Sequence, residues 1–246
     1  MEKHKAKRVI YFDPDIQVFS RLDTIFELLD VNLCVLTPHI TAPLNDEFSP
    51  SELDFLRVST YNLGFFAVSR TSDWRNLLRW WEQRLYENCT REVERGLFVD
   101  QHWMDLVPSL FAPVHILRDP GYNVAYWNLA TREMAVDSAG GFTVNGTKLV
   151  FFHYSGFSVS NLERVSKHQN RLSFDNLNAA ARRCFTEYRQ QLLEAGVEDT
   201  SAYPYAYGRF QNGLPVTDSL RICLRHADSK GEIWADPYVT GKGSFL

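Results

Sequence analysis

The chain has few cysteines, no long apolar run and no block of like charge, and each shortage removes a class of protein. Its four cysteines, Cys34, Cys89, Cys184 and Cys223, are scattered without paired spacing, which argues against a disulfide framework or a zinc site. Each has apolar neighbours and reads as a small core residue. The longest apolar runs, such as Leu149 to Phe152, fall far short of the roughly 20 residues that a membrane helix needs. The basic N-terminus is not followed by an apolar signal core, so the expected location is cytoplasmic. There, Asn88-Cys-Thr90 and Asn145-Gly-Thr147 are chance matches to the glycosylation pattern. The 26 basic and 30 acidic residues, net −4, are interspersed and leave no footprint for nucleic acid or anionic lipid. Repeats and low-complexity linkers are also lacking.

What is present is a core-forming composition. With 246 residues, 45% hydrophobic and 14% aromatic, the chain can bury one large domain, with or without an appendage. Val9 to Phe12 reads as a buried strand ending at the acidic turn Asp13-Pro14. Ser20-Arg-Leu-Asp23 resembles a capping box before a helix with Leu22, Ile25, Phe26 and Leu29 on one face. Leu33 to Leu36 and Phe65 to Val68 read as strands, separated by a polar loop from Thr41 to Glu52 and the Tyr61-Asn-Leu-Gly64 corner. Ser72 is the expected cap of a helix whose stripe is Trp74, Leu77, Leu78, Trp81 and Leu85.

Further along, Phe98 to Leu106 reads as a short helix carrying Asp100-Gln101, and Val114 to Leu117 as a strand. The turn dipeptide Asn145-Gly146 predicts a hairpin between Phe142-Thr-Val144 and Leu149 to Phe152, whose second strand delivers His153. Leu177, Ala181, Phe185, Tyr188 and Leu192 mark a long amphipathic helix closed by Gly196, before a turn-rich tail. The order β-α-β followed by mixed elements points to an α/β layer fold, with a soft boundary near 159–168.

Asp13-Pro-Asp15 sets two carboxylates at a strand exit, where a hard divalent cation such as Mn²⁺ or Mg²⁺ would relieve their repulsion. A solvated turn is the alternative. His153 is either a hydrogen-bonded core histidine or the nitrogen ligand of a mixed O/N site. Asp100-Gln101 suits substrate hydroxyl binding and, equally, helix capping. Asn62 and Gly64 are a turn or a place where backbone approaches a ligand. Among the aromatics Trp127, in a loop-like stretch, is the candidate for lining a site, whereas Trp81 reads as core.

In order along the chain, Asp13-Pro-Asp15, Tyr61-Asn-Leu-Gly64, Asp100-Gln101 and His153-Tyr-Ser-Gly156 resemble the motif series of retaining glycosyltransferases related to glycogenin and the bacterial lipopolysaccharide galactosyltransferases. Leu36-Thr-Pro-His39, Val99-Asp-Gln-His-Trp103 and Asn123-Val-Ala-Tyr-Trp-Asn-Leu129 are similar to stretches of uncharacterised bacterial glycosyltransferases. The resemblance implies a GT-A-like, Rossmann-like mixed sheet with flanking helices over 1–160, followed by a C-terminal helix and irregular tail over 161–246. It implies that Asp13, Asp15 and His153 hold Mn²⁺ or Mg²⁺, and that Asn62, Gly64, Trp127 and Gly156 lie on the substrate side. It also implies that Asp100 binds sugar hydroxyls, and that Gln101 lies beneath the anomeric carbon.

The implied reaction moves a hexose from a nucleotide diphosphate sugar, a UDP-hexose first among them, to a saccharide or protein acceptor with retention. Members of that family reach the acidic strand after βαβ units that hold the nucleotide, whereas 12 residues precede Asp13 here. The expectation is a fold incomplete at its N-terminus, with an unpaired sheet edge that invites self-association. The alternative function is an inactive or partner-dependent form acting as a binding or assembly module. A metal-dependent phosphohydrolase is the third reading, for which Asp119 and His115 have no suitable spacing.

Overall fold

A computed structural model describes residues 1–246 apart from 2, 72, 162, 233, 235 and 242–246. The chain is a mixed α/β protein that divides into two compact units, Met1–Leu193 and Glu194–Leu246. The first unit runs β1 (Arg8–Phe12), β2 (Ile16–Val18), α1 (Asp23–Val31), β3 (Cys34–Leu36), α2 (Glu52–Val58), β4 (Phe65–Ser69), α3 (Trp74–Asn88), β5 (Arg91–Glu92) and β6 (Leu97–Phe98). It continues with α4 (Val107–Leu110), β7 (Val114–Ile116), β8 (Met134–Val136), β9 (Phe142–Val144), β10 (Thr147–Lys148), β11 (Phe151–His153) and α5 (Ala179–Glu194).

The main sheet has the order β1-β4-β3-β7, parallel only between β3 and β7. Period-two alternation explains why β4 is buried along its whole length. Phe65 and Ala67 join the Ile25 and Leu29 side of α1, while Phe66 and Val68 join Trp74 and Leu77 of α3. Each such large side chain contributes about 1.5–3 kcal/mol on burial. A third cluster seals α5, through Cys184, Phe185 and Tyr188, onto Phe152, Tyr154 and the β8–β10 sheet. Residues up to Leu193 therefore share the core of the first unit.

Several local expectations change. Among the described residues β1 is an edge strand paired only with β4, and Val9 and Tyr11 are exposed, because its apolar pattern has a helix partner on one face alone. Ser20 caps nothing: its hydroxyl donates to the Leu149 carbonyl at 2.8 Å, and α1 starts at Asp23 without a side-chain cap. Ser72 lies outside the described residues, and α3 begins after Asp73. The segment before Tyr61 contains α2, opened by a Ser51–Asp54 capping box.

The Asn145-Gly146 turn forms with both φ angles positive, but its second strand is only Thr147–Lys148. Phe151–His153 turns away to pair with β2. Asp100-Gln101 precedes a helical turn at His102–Leu106 rather than lying within it. Cys34 and Cys184 are buried, whereas Cys89 and Cys223 are exposed, and all four are free. Among the described residues no helix is long and apolar enough to cross a membrane.

The second unit carries α6 (Val197–Ser201) and α7 (Asp218–Ser229), the latter capped by the Thr217 hydroxyl, which accepts the Leu220 N–H. Its one well-buried apolar side chain among the described residues is Phe210, and Tyr203, Tyr205 and Tyr207 are exposed.

Candidate metal centre and cleft

Asp13 leaves β1 where its N–H donates to the Gly64 carbonyl at 2.8 Å. The Asp13-Pro-Asp15 link carries the chain from the main sheet to β2, which pairs with β11 so that His153 stands opposite Ile16. The Tyr154 N–H then donates to the Asp15 carbonyl at 2.9 Å. Two strand exits 140 residues apart thus meet, and ligand atoms of Asp13, Asp15 and His153 all lie within 4.8 Å of one another. His153 Nε2 is 3.1 Å from Asp15 Oδ1 and 3.8 Å from Asp13 Oδ2.

The tautomer of His153 follows from its other nitrogen. Asn62 Oδ1 accepts the Gly64 backbone N–H at 3.1 Å, which fixes that atom as oxygen, and it also accepts from Asn123 Nδ2 at 3.1 Å. His153 Nδ1, 3.2 Å from the same oxygen, is therefore the protonated nitrogen. Nε2 is left to face the two carboxylates, an arrangement that a cation between them satisfies. The donor set of two carboxylate oxygens and one imidazole nitrogen fits Mn²⁺ or Mg²⁺. Gly64 makes the approach possible: a Cβ there would sit 2.3 Å from His153 Cε1.

Charge and burial shape the surroundings. For Asp15, burial alone pushes the carboxyl up, but the hydrogen bond and charge of a His153 protonated on both nitrogens, the alternative to a cation at Nε2, outweigh it and hold the carboxyl below its ordinary value. The Tyr11 hydroxyl donates to Asp13 Oδ1 at 2.7 Å, and that bond, with burial, pushes the phenol up to about 12.

A cleft of about 460 Å³ opens beside this cluster, lined among others by Asp13, Asn62, Gly64, Asp100, Gln101, Trp127 and His153. Seven of the nine sequence candidates therefore line one cleft; Asp15 contacts its His153, and Gly156 supports a neighbouring loop. Two open hollows of about 490 and 740 Å³ elsewhere in the first unit carry none of the nine.

Asp100 follows Val99, whose φ of +43° costs a β-branched residue about 1–2 kcal/mol. That strain is held by the Val99 N–H donating to Thr90 and by Trp81 Nε1 donating to the Asp100 carbonyl at 3.2 Å. Burial pushes the Asp100 carboxyl up, and the Asp13 charge adds to the effect. Gln101 donates from Nε2 to the Val58 carbonyl at 3.0 Å, so its amide is oriented before any ligand arrives.

Trp127 is 2% exposed, edge-on to His153 at 5.2 Å, and its Nε1 has no partner. Trp80 and Trp103 pack away from the cleft, against Phe111 and each other.

Residues without an assigned role in the sequence reading also build this wall. His39, which burial pulls down to about 4, stacks on Phe55 and accepts from Asn62 Nδ2 at 3.4 Å. Asn123, at φ +49°, links Asn62 to the Thr37 hydroxyl. Both fall in the phrases Leu36-Thr-Pro-His39 and Asn123-Val-Ala-Tyr-Trp, so the signal was in the sequence without a role attached.

Two curated relatives, both from Bacillus subtilis (strain 168), are similar to part of the chain. The uncharacterized protein YfnF is 26% identical over 166 residues, covering 66% of this chain and 54% of that one. The uncharacterized protein YfnD is 28% identical over 156 residues, covering 63% and 48% respectively. The chain thus spans about half the length of the curated relatives it matches. No protein family and no solved structure matches it.

Proposed function

We propose that the chain carries the catalytic site of a metal-dependent glycosyltransferase of the GT-A kind, moving a hexose from a nucleotide diphosphate sugar to a saccharide or protein acceptor. The observation that carries this reading is the meeting of Asp13, Asp15 and His153 at the wall of a cleft that also presents Asp100, Gln101 and Asn62. A divalent metal held by those three residues would supply Lewis acidity toward a diphosphate leaving group. Asn62 orients His153, the fixed Gln101 amide offers a dipole to positive charge developing in the transition state, and Asp100 accepts hydroxyl hydrogens. Retention rests on the motif resemblance.

A second reading, a partner-dependent or inactive form acting as a binding or assembly module, is favoured by the edge of β1, which among the described residues has β4 as its one strand neighbour beside the metal cluster.

Calorimetric titration of UDP-glucose, UDP-galactose, GDP-mannose and UDP with Mn²⁺, repeated on Asp15→Ala, separates the two. Metal-dependent donor binding that disappears in the variant supports the transferase. A folded chain that binds Mn²⁺ yet no donor supports the module.

A further inference from the structure

The same cleft also presents groups of opposite character: Arg91, Tyr126 and His168 are among its lining residues. Arg91 stands opposite Phe98 in the β5–β6 pair, with its guanidinium over the Phe98 ring at 5.5 Å. Among the described residues neither Arg91 nor Lys167 makes an ion pair. The Asp54 carboxylate, on the same wall, already accepts the Ser51 N–H and hydroxyl at 2.7 and 2.9 Å.

The loop bearing His168 is built into place. Gly156, at φ +70°, leaves room that a Cβ would deny, since that atom would lie 2.5 Å from His168 Cδ2 and 2.6 Å from Ser166 Oγ. The Gly156 carbonyl accepts the Lys167 N–H at 3.0 Å, and Ser166 Oγ accepts the His168 N–H at 3.2 Å. The His168 ring lies 6.2 Å from that of Tyr126. Arg91 and His168 both line the cleft and Lys167 adjoins His168 in the chain; burial pulls the His168 imidazole down, and the Lys167 and Arg91 charges pull it further. The charge that adds to Asp100, by contrast, comes from Asp13.

We propose that Arg91, Lys167 and His168 form an oxyanion subsite that holds a phosphate or carboxylate of the acceptor, independently of the metal. Two carboxylates and an imidazole suit a cation, whereas unpaired cations beside a neutral imidazole suit an oxyanion with directional donors. The word acceptor rests on the transferase reading; the anion site itself does not.

The test uses the full chain in EDTA, titrated with glucose 1-phosphate, glucuronate and uncharged glucose. The two anions are expected to bind, glucose not, with affinity falling as salt rises. Arg91→Gln/Lys167→Gln, both at exposed positions, should weaken binding about tenfold, and Asp15→Ala should leave it unchanged. Anion binding that requires Mn²⁺, or that ignores the double variant, or that is absent, overturns the subsite. Competition by UDP without metal overturns the acceptor assignment and gives the subsite to the donor diphosphate. Titration of Mn²⁺ alone into the same samples reports separately on the metal centre, so the two failures are distinguishable.

Discussion

Gly64 lacks the one carbon that would block the metal centre, which makes it the sharpest single-residue test of the site. Gly64→Ala places a Cβ against the His153 ring and should lower Mn²⁺ affinity about 10- to 100-fold, as loss of an orienting contact does. Unchanged affinity by calorimetry, in a variant that melts normally, would refute the ring placement. Asp100 tests the same wall by pH. Its carboxyl is pushed up in the folded state, so ionisation disfavours folding and stability falls as pH rises through the folded value. Asp100→Asn should therefore melt higher than the parent near pH 7 and no higher at pH 3; a variant less stable at pH 7 would count against a strained functional acid.

Between elements, the loop 41–51 is strapped over the cleft by a buried arginine rather than by its own secondary structure. Arg171 donates Nε and Nη2 to Asp46 at 2.7 Å each and Nη2 to the Phe48 and Pro50 carbonyls. Arg171→Met should cost about 1–3 kcal/mol by leaving those carbonyls unpaired, and hydrogen exchange should speed across the loop; a loop that exchanges as before would show that other contacts hold it. The Arg171 side chain keeps the Asp46 carboxyl below its ordinary value. That contribution is present above the unfolded-state value of about 3.9 and fades as pH falls through the lower folded one. The strap should loosen in acid, and the gap between the parent and the Met variant should narrow there.

For the molecule as a whole, every residue of the metal centre and of the proposed subsite lies within Met1–Leu193. A chain ending after Gly196 should keep the Mn²⁺ affinity of the full chain, checked by the same titration; a loss above about tenfold (~1.4 kcal/mol) would tie the second unit to the site. Saturating metal should raise the melting temperature of both chains, since a ligand at 100 times its dissociation constant adds about 2.7 kcal/mol. No such shift in Asp13→Ala or Asp15→Ala is the matching expectation.

Local patterns made much of this legible. Helical spacing at Trp74, Leu77 and Trp81 and at Ala181, Phe185 and Tyr188 marked α3 and α5, because an amphipathic stripe repeats within a few residues. Asn145-Gly146 marked its turn because both positions need a left-handed backbone. Only tertiary structure decided the rest. Whether Val9 and Tyr11 are covered depends on a helix elsewhere in the chain, and where Phe151–His153 pairs depends on β2. The sequence named Asp13, Asp15 and His153, but the Asn62 carbonyl that sets the His153 tautomer, the space at Gly64 that admits its ring and the presence of Arg91 and His168 on the same cleft arise from contacts between distant residues. Spacing along a chain does not encode such contacts.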